Sequence, residues 1–141
     1  MVQIFLNGYG NIGRRLATAF SKDKSMELIG IAKYSPDVET EKALKNGYKV
    51  FVPKETEKEF KSKNYDVTGN IEDAIKQVDL IIDAAKEGRG FQNKQKYYIP
   101  LKKKAIFQGG EDRIGKFSVA DIIHNSRVNY NETFDKEYVI Q

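Results

Sequence analysis

Leu6–Arg15 reads LNGYGNIGRR, and its three glycines, Gly8, Gly10 and Gly13, have the spacing G-x-G-x-x-G. Three glycines in a turn can serve the turn alone, so the flanking sequence decides what they mean. Before them, Val2 to Leu6 is short, apolar and rich in β-formers, which predicts a buried parallel strand. After them, Ile12, Leu16, Ala19 and Phe20 recur at helical spacing. A strand, a glycine turn and a helix in that order are the context of a dinucleotide-binding loop. In such a loop Gly8 permits the tight turn, Gly10 lets a pyrophosphate reach the backbone, and Gly13 lets the helix pack close to the strand. The free amides around Asn11 and Ile12, at the positive end of the helix, would then receive the phosphate charge.

Working outward, strands and helices alternate. Met26–Lys33 (MELIGIAK) is a second apolar run, followed by a helix expected to start at Ser35–Pro36 and to stop at Gly47. Tyr48–Pro53 is a third strand, and Pro53 is expected to open a charged helix. YDVTG reads as a short edge strand, after which Asn70 caps IEDAIKQV with Asp73 three residues on. Asp79–Asp83 (DLIID) is a fourth strand of the central type, GRGFQNKQKYY a helix from Gly88 or Gly90, and Lys104–Gly110 (KAIFQGG) a fifth strand. Beyond Gly110 β-like and helix-like pieces mix, residues 111–141 receive no role, and YVIQ reads as a strand cut short. The alternation predicts an α/β fold, a Rossmann-type, doubly wound, mostly parallel sheet in one domain over residues 1–141. Right-handed crossovers set its strand order near 3-2-1-4-5.

Composition narrows the function classes. Of 141 residues 40% are hydrophobic and 31% charged, as in ordinary globular domains. With no cysteine, this chain can form neither a disulfide, a thiolate zinc cluster nor a thiol nucleophile. The net charge of +4 arises from 24 basic and 20 acidic residues, interleaved as in PKETEKEFKSK, a solvated helix face with i,i+4 pairs. That pattern argues against a nucleic-acid partner and suits attraction of small phosphorylated molecules. No stretch approaches the ~20 apolar residues that span a bilayer, and MVQIFLNG lacks the basic start of a signal peptide. The expectation is a cytoplasmic protein without a membrane partner.

The ends of the strands suggest which dinucleotide. A site for NAD commonly has an acid about 20 residues past the glycines, holding the ribose 2′-hydroxyl. Here that place is taken by Lys33. A cation there suits a 2′-phosphate, so NADP is the preferred coenzyme, with NAD as the alternative. Tyr34 is placed beside the adenine, and Ser35 as a donor to the phosphate. Gly109 and Gly110 close the fifth strand at its carboxyl end, where ligands of open α/β sheets lie. Arg14 and Arg15 read as helix surface. The single histidine, His124, has no thiol or serine partner in a recognisable arrangement and is read as structural. Asp79 and Asp83 stand at opposite ends of one strand, unsuited to an acid–base pair, with Asp83 a candidate cap for the following helix.

Several segments, NGYGNIGRR, IAKYSPD, DAAKEGRGFQNK, KAIFQGGE and VNY followed by KEYV, resemble in the same order the N-terminal region of archaeal-type glyceraldehyde-3-phosphate dehydrogenase. The resemblance implies a tetrameric, cytoplasmic oxidoreductase of glycolysis or gluconeogenesis that uses NADP or NAD. It places Asn11, Ile12, Lys33 and Gly110 in the coenzyme site. The chain departs from the family at Ala85–Lys86, where members have Thr-Pro, at Asp112, at NSRVNY and at Tyr34, where members have Thr. It also ends at Gln141, ahead of the family's nucleophilic cysteine, which would attack the aldehyde before hydride passes to the nicotinamide. The expectation is that the isolated chain binds coenzyme and oxidises nothing, with the sugar phosphate bound only when the catalytic domain is present. Two alternatives stay open from the sequence: a non-catalytic nucleotide-binding or redox-sensing module, and the first domain of another NADP-dependent semialdehyde dehydrogenase or reductase.

Overall fold

The protein was studied as a computed structural model, which describes residues 1–108, 114–115, 117–118 and 139–140. Strand β1 (Val2–Asn7) runs into helix α1 (Asn11–Phe20), and β2 (Met26–Ala32) into α2 (Val38–Lys45). Then follow β3 (Val50–Val52), α3 (Glu57–Ser62), β4 (Gly69–Asn70), α4 (Ile71–Lys76) and β5 (Leu80–Asp83). Helix α5 (Arg89–Asn93) widens into a π-helical turn over Lys94–Tyr98 before β6 (Lys104–Phe107). Two-residue strands β7 (Phe117–Ser118) and β8 (Val139–Ile140) complete a sheet of order β4-β3-β2-β1-β5-β6-β8-β7. Every described pair is parallel. The five principal strands follow the expected order, the cut-short strand YVIQ pairs as β8 at Val139–Ile140, and the edge strand β4 takes only Gly69 from YDVTG, the rest of that stretch lying outside any strand.

Strand alternation sends side chains to two cores. Phe5, Ile81, Tyr98 and Phe107 pack with Ile71 and Ile75 of α4 on one face. Ile4, Leu6, Ile31 and Ile82 pack with Ala17 of α1, Ala43 of α2 and Phe60 of α3 on the other. Successive residues of β1 thus feed opposite layers, as a sheet covered on both faces requires. Gly30 in β2 faces the Phe51 ring, which comes within 2.4 Å of where a Cβ would stand.

Several boundaries differ from expectation; the third strand, for one, is Val50–Val52 within the Tyr48–Pro53 stretch. Helix α2 starts at Val38 rather than at Ser35–Pro36, because Asp37 caps it: its Oδ1 accepts the Thr40 amide at 3.0 Å. Pro53 starts a turn, closed by the Thr56 amide on the Pro53 carbonyl, and the helix begins only at Glu57. The helix after β5 keeps α geometry for five residues and then opens, with consecutive Tyr97 and Tyr98 both buried. Other local readings hold: Asn70 Oδ1 accepts the Asp73 amide at 3.0 Å, and Lys61 pairs with Glu57 at 2.6 Å across one helical turn. No helix of the described residues is long and apolar enough to cross a membrane.

Candidate functional site

The carboxyl ends of β1, β2 and β5 border a cleft of about 260 Å³, whose lining includes Gly8, Gly10, Lys33, Tyr34, Ser35 and Arg89. Its three glycines differ in what surrounds them. Gly8 has φ +119°, and a Cβ there would stand 2.7 Å from the Ala84 backbone. At Gly13 a Cβ would come within 2.2 Å of the Gly8 carbonyl oxygen, so the first turn of α1 sits directly on the loop. Gly10 has an unstrained backbone, and a Cβ would meet no atom within 4 Å. The fold therefore demands two of the glycines, and the third faces open space at the mouth of the cleft.

Gly10 is also the N-cap residue of α1, and no side chain caps that end. Asn11 could have done so but accepts from Arg14 Nη2 at 2.6 Å instead. The first turn of this ten-residue helix carries no acidic residue and no side-chain cap among the described residues, so its amides keep their partial positive charge, and its N-cap residue, Gly10, lines the cleft. Ile12 is half exposed (48%) on the same turn. Arg14 lies 3.1 Å from Glu39, so it belongs to the surface between α1 and α2, as expected.

Lys33 ends β2, and its ammonium is not an open charge. Nζ lies 2.9 and 3.0 Å from the two carboxylate oxygens of Asp37, with the lysine side chain only 9% exposed. Burial raises the Asp37 pKa, but the Lys33 hydrogen bond and the Thr40 amide outweigh it and hold the carboxyl below its ordinary value. Asp37 therefore caps α2 and neutralises Lys33 with one group. In the sequence Asp37 is masked by Ser35–Pro36, which has the pattern of a helix start two residues earlier. The signal available was an Asp directly ahead of the helical run and four residues beyond the lysine.

Tyr34 is not a free stacking surface. Its hydroxyl lies 2.5 Å from Asn7 Oδ1 and 3.1 Å from Asn93 Oδ1, and the Arg89 guanidinium covers its ring at 4.3 Å. Below it runs a buried polar network. Asn7 Nδ2 donates to the Tyr98 hydroxyl at 2.6 Å, and that hydroxyl donates to Asp83 Oδ2 at 2.5 Å. Asn93 Nδ2 donates to the same oxygen at 2.9 Å, and the Ala85 amide to Asp83 Oδ1 at 3.1 Å. Asp83 thus ties α5 and the turn after β5 to the strand ends instead of capping the following helix. Burial raises its pKa against the opposing pull of Tyr98 and Asn93. Burial, reinforced by the Asp83 charge, also pushes the Tyr34 and Tyr98 phenols up, so both remain protonated donors. Ser35, exposed at the rim, gives its carbonyl to Thr40 Oγ1 at 3.0 Å. Gly109, Gly110 and His124 lie outside the described residues.

No family model matches the chain. It is 45% identical over 138 residues to a glyceraldehyde-3-phosphate dehydrogenase of Sulfolobus acidocaldarius, matching 98% of this chain and 39% of that protein. To the protein of the same name from Metallosphaera sedula it is 42% identical over 139 residues, 99% of this chain and 39% of the relative. The match is to the N-terminal part of these archaeal proteins, so the chain spans well under half of their length. Among solved structures it is similar to an NAD-binding protein from Listeria innocua, with TM-score 0.54 and 16% identity over 76% of this chain and 27% of that one. It is also similar to GenD2 from gentamicin A biosynthesis in complex with NAD, with TM-score 0.50 and 15% identity over 76% of this chain and 26% of that one. At such identities these two share the fold with this chain.

Proposed function

We propose that this chain, homologous over nearly its whole length to the N-terminal part of archaeal glyceraldehyde-3-phosphate dehydrogenases, is the coenzyme-binding domain of such an enzyme. One observation carries the reading: an uncapped helix start behind Gly10, facing open space at the carboxyl end of β1. A dinucleotide diphosphate is the ligand that such a cradle of amides suits. Gly8 and Gly13 shape the loop, Gly10 leaves room for the diphosphate, and the amides of Asn11 and Ile12 receive its charge. Tyr34 and Ser35 border the adenosine half. Gly109 and Gly110 belong to the proposed site by their place after β6.

NADP is the proposed preferred coenzyme and NAD the alternative, because β2 does not end on the acid that would hold a 2′-hydroxyl and repel a 2′-phosphate. The bound nicotinamide supplies a hydride acceptor for aldehyde oxidation. This chain's own residues bind and orient, since its 141 positions include no cysteine to serve as the nucleophile. Sugar-phosphate binding and tetramer formation are assigned to the part of the relatives that this chain does not cover.

Calorimetric titration with NADP and NAD tests the proposal. Both dinucleotides are expected to bind, NADP the more tightly, and Lys33→Glu is expected to reverse the order by placing three carboxylates around one phosphate. No binding of either coenzyme at millimolar concentration would refute the reading. In a phosphate-dependent aldehyde oxidation assay the 141-residue chain is expected to give no turnover.

A further inference from the structure

Three cations of the described residues line the cleft, Lys33, Lys86 and Arg89; of these Lys33 adjoins Tyr34 in the chain and Arg89 lies on its ring, and these two are differently committed. Lys33 is spent. Its ammonium sits between both carboxylate oxygens of Asp37, and Glu39 also lines the cleft. An incoming phosphate at that corner meets a pair with no net charge, and the Asp37 carboxylate repels it. Arg89 is the opposite case. Among the described residues no carboxylate lies within ion-pairing distance of its guanidinium, which rests on the Tyr34 ring at 4.3 Å.

The platform under Arg89 is rigid. The Tyr34 hydroxyl is held by Asn7 and Asn93, both buried, and Asn93 lies on the same helix as Arg89. A guanidinium stacked on a ring keeps its in-plane N–H donors turned outward, where they match two oxygens of a phosphate. Arg89 also stands on the rim between this cleft and a second one of about 290 Å³, so the donor edge is reachable from solvent.

We infer that Arg89, rather than Lys33, is the specificity-determining residue that receives the 2′-phosphate of NADP, while Lys33 and Asp37 act as a neutral structural pair. The inference rests on the coenzyme reading above and names the part of the site that sets its preference. Arg89 follows β5 in the chain and reaches Tyr34, beyond the end of β2, only through the fold.

The experiment compares Kd values for NADP, NAD, 2′,5′-ADP and 5′-AMP in the parent chain, in Arg89→Leu and in Lys33→Met/Asp37→Asn. The double variant removes the ion pair as a unit and keeps a helix-capping side chain. Arg89→Leu is expected to weaken NADP and 2′,5′-ADP about 10- to 100-fold, with NAD and 5′-AMP changed less than about 3-fold. The double variant is expected to alter the NADP-to-NAD ratio less than about 3-fold, and circular dichroism checks that both variants fold. Should Arg89→Leu bind both dinucleotides with the parent's ratio, or lose both equally, the inference fails while the coenzyme reading stands. Should the double variant collapse the ratio instead, Lys33 is the phosphate ligand and the inference also fails. A parent chain that binds neither dinucleotide overturns both.

Discussion

Gly8 and Gly10 are two residues apart and are asked for different things. A Cβ at Gly8 would press the Ala84 backbone at 2.7 Å from a φ of +119°, so Gly8→Ala is expected to cost about 3 kcal/mol of folding stability. Gly10→Ala meets nothing in the protein and should stay within about 0.5 kcal/mol of the parent in urea unfolding. The same methyl stands where the diphosphate is proposed to lie, so dinucleotide affinity should fall at least about 10-fold, some 1.4 kcal/mol. A Gly10→Ala protein with unchanged affinity would remove the diphosphate from that loop. Tyr98→Phe belongs to this scale too. It leaves buried Asp83 and Asn7 short of a partner, with an expected loss of about 1–3 kcal/mol in the same unfolding assay.

Among the elements, the short helices depend on their first residues. Helix α2 has eight residues, and Asp37 both closes its first turn and holds Lys33. Asp37→Asn keeps an N-cap acceptor, whereas Asp37→Ala loses the cap and leaves a nearly buried ammonium unpaired. Thermal unfolding should show the alanine variant less stable than the asparagine variant by about 1 kcal/mol. The elements were largely legible because their signals are local. An apolar run ahead of G-x-G-x-x-G, Asn70 before IEDAIK and a charged face with Lys61–Glu57 spacing each identify themselves within a few residues. Boundaries were less legible. Ser35–Pro36 and Pro53 are residues that open helices in general, yet here Asp37 and Thr56 hold the N-cap positions. The π-helical turn was not legible at all, since it follows from Tyr97 and Tyr98 both being buried against the sheet.

The whole molecule responds to pH through groups that face each other across elements. Asp83 has a raised pKa, so the native state binds its proton more readily than the unfolded chain does. Between the ordinary carboxylate range and that raised value, this residue makes stability increase as pH falls. Asp37 has the opposite sign: its contribution is present above the unfolded value and is lost as pH falls through its lowered one. Urea midpoints measured across the acid range should therefore show a Asp83→Asn protein lacking the rise on mild acidification, whatever its absolute stability. Periodicity, glycine spacing and composition determined by themselves the α/β class, the strand order, the glycine turn between β1 and α1 and the lack of a thiol among these 141 residues, because each is written in the sequence itself. Only the tertiary structure decided which charges are available. Lys33 is neutralised by a residue four positions on, Arg89 is brought onto Tyr34 from 55 positions away, and Asp83 is buried against Tyr98 and Asn93, because electrostatic partnership depends on distance in space, which a linear chain does not carry.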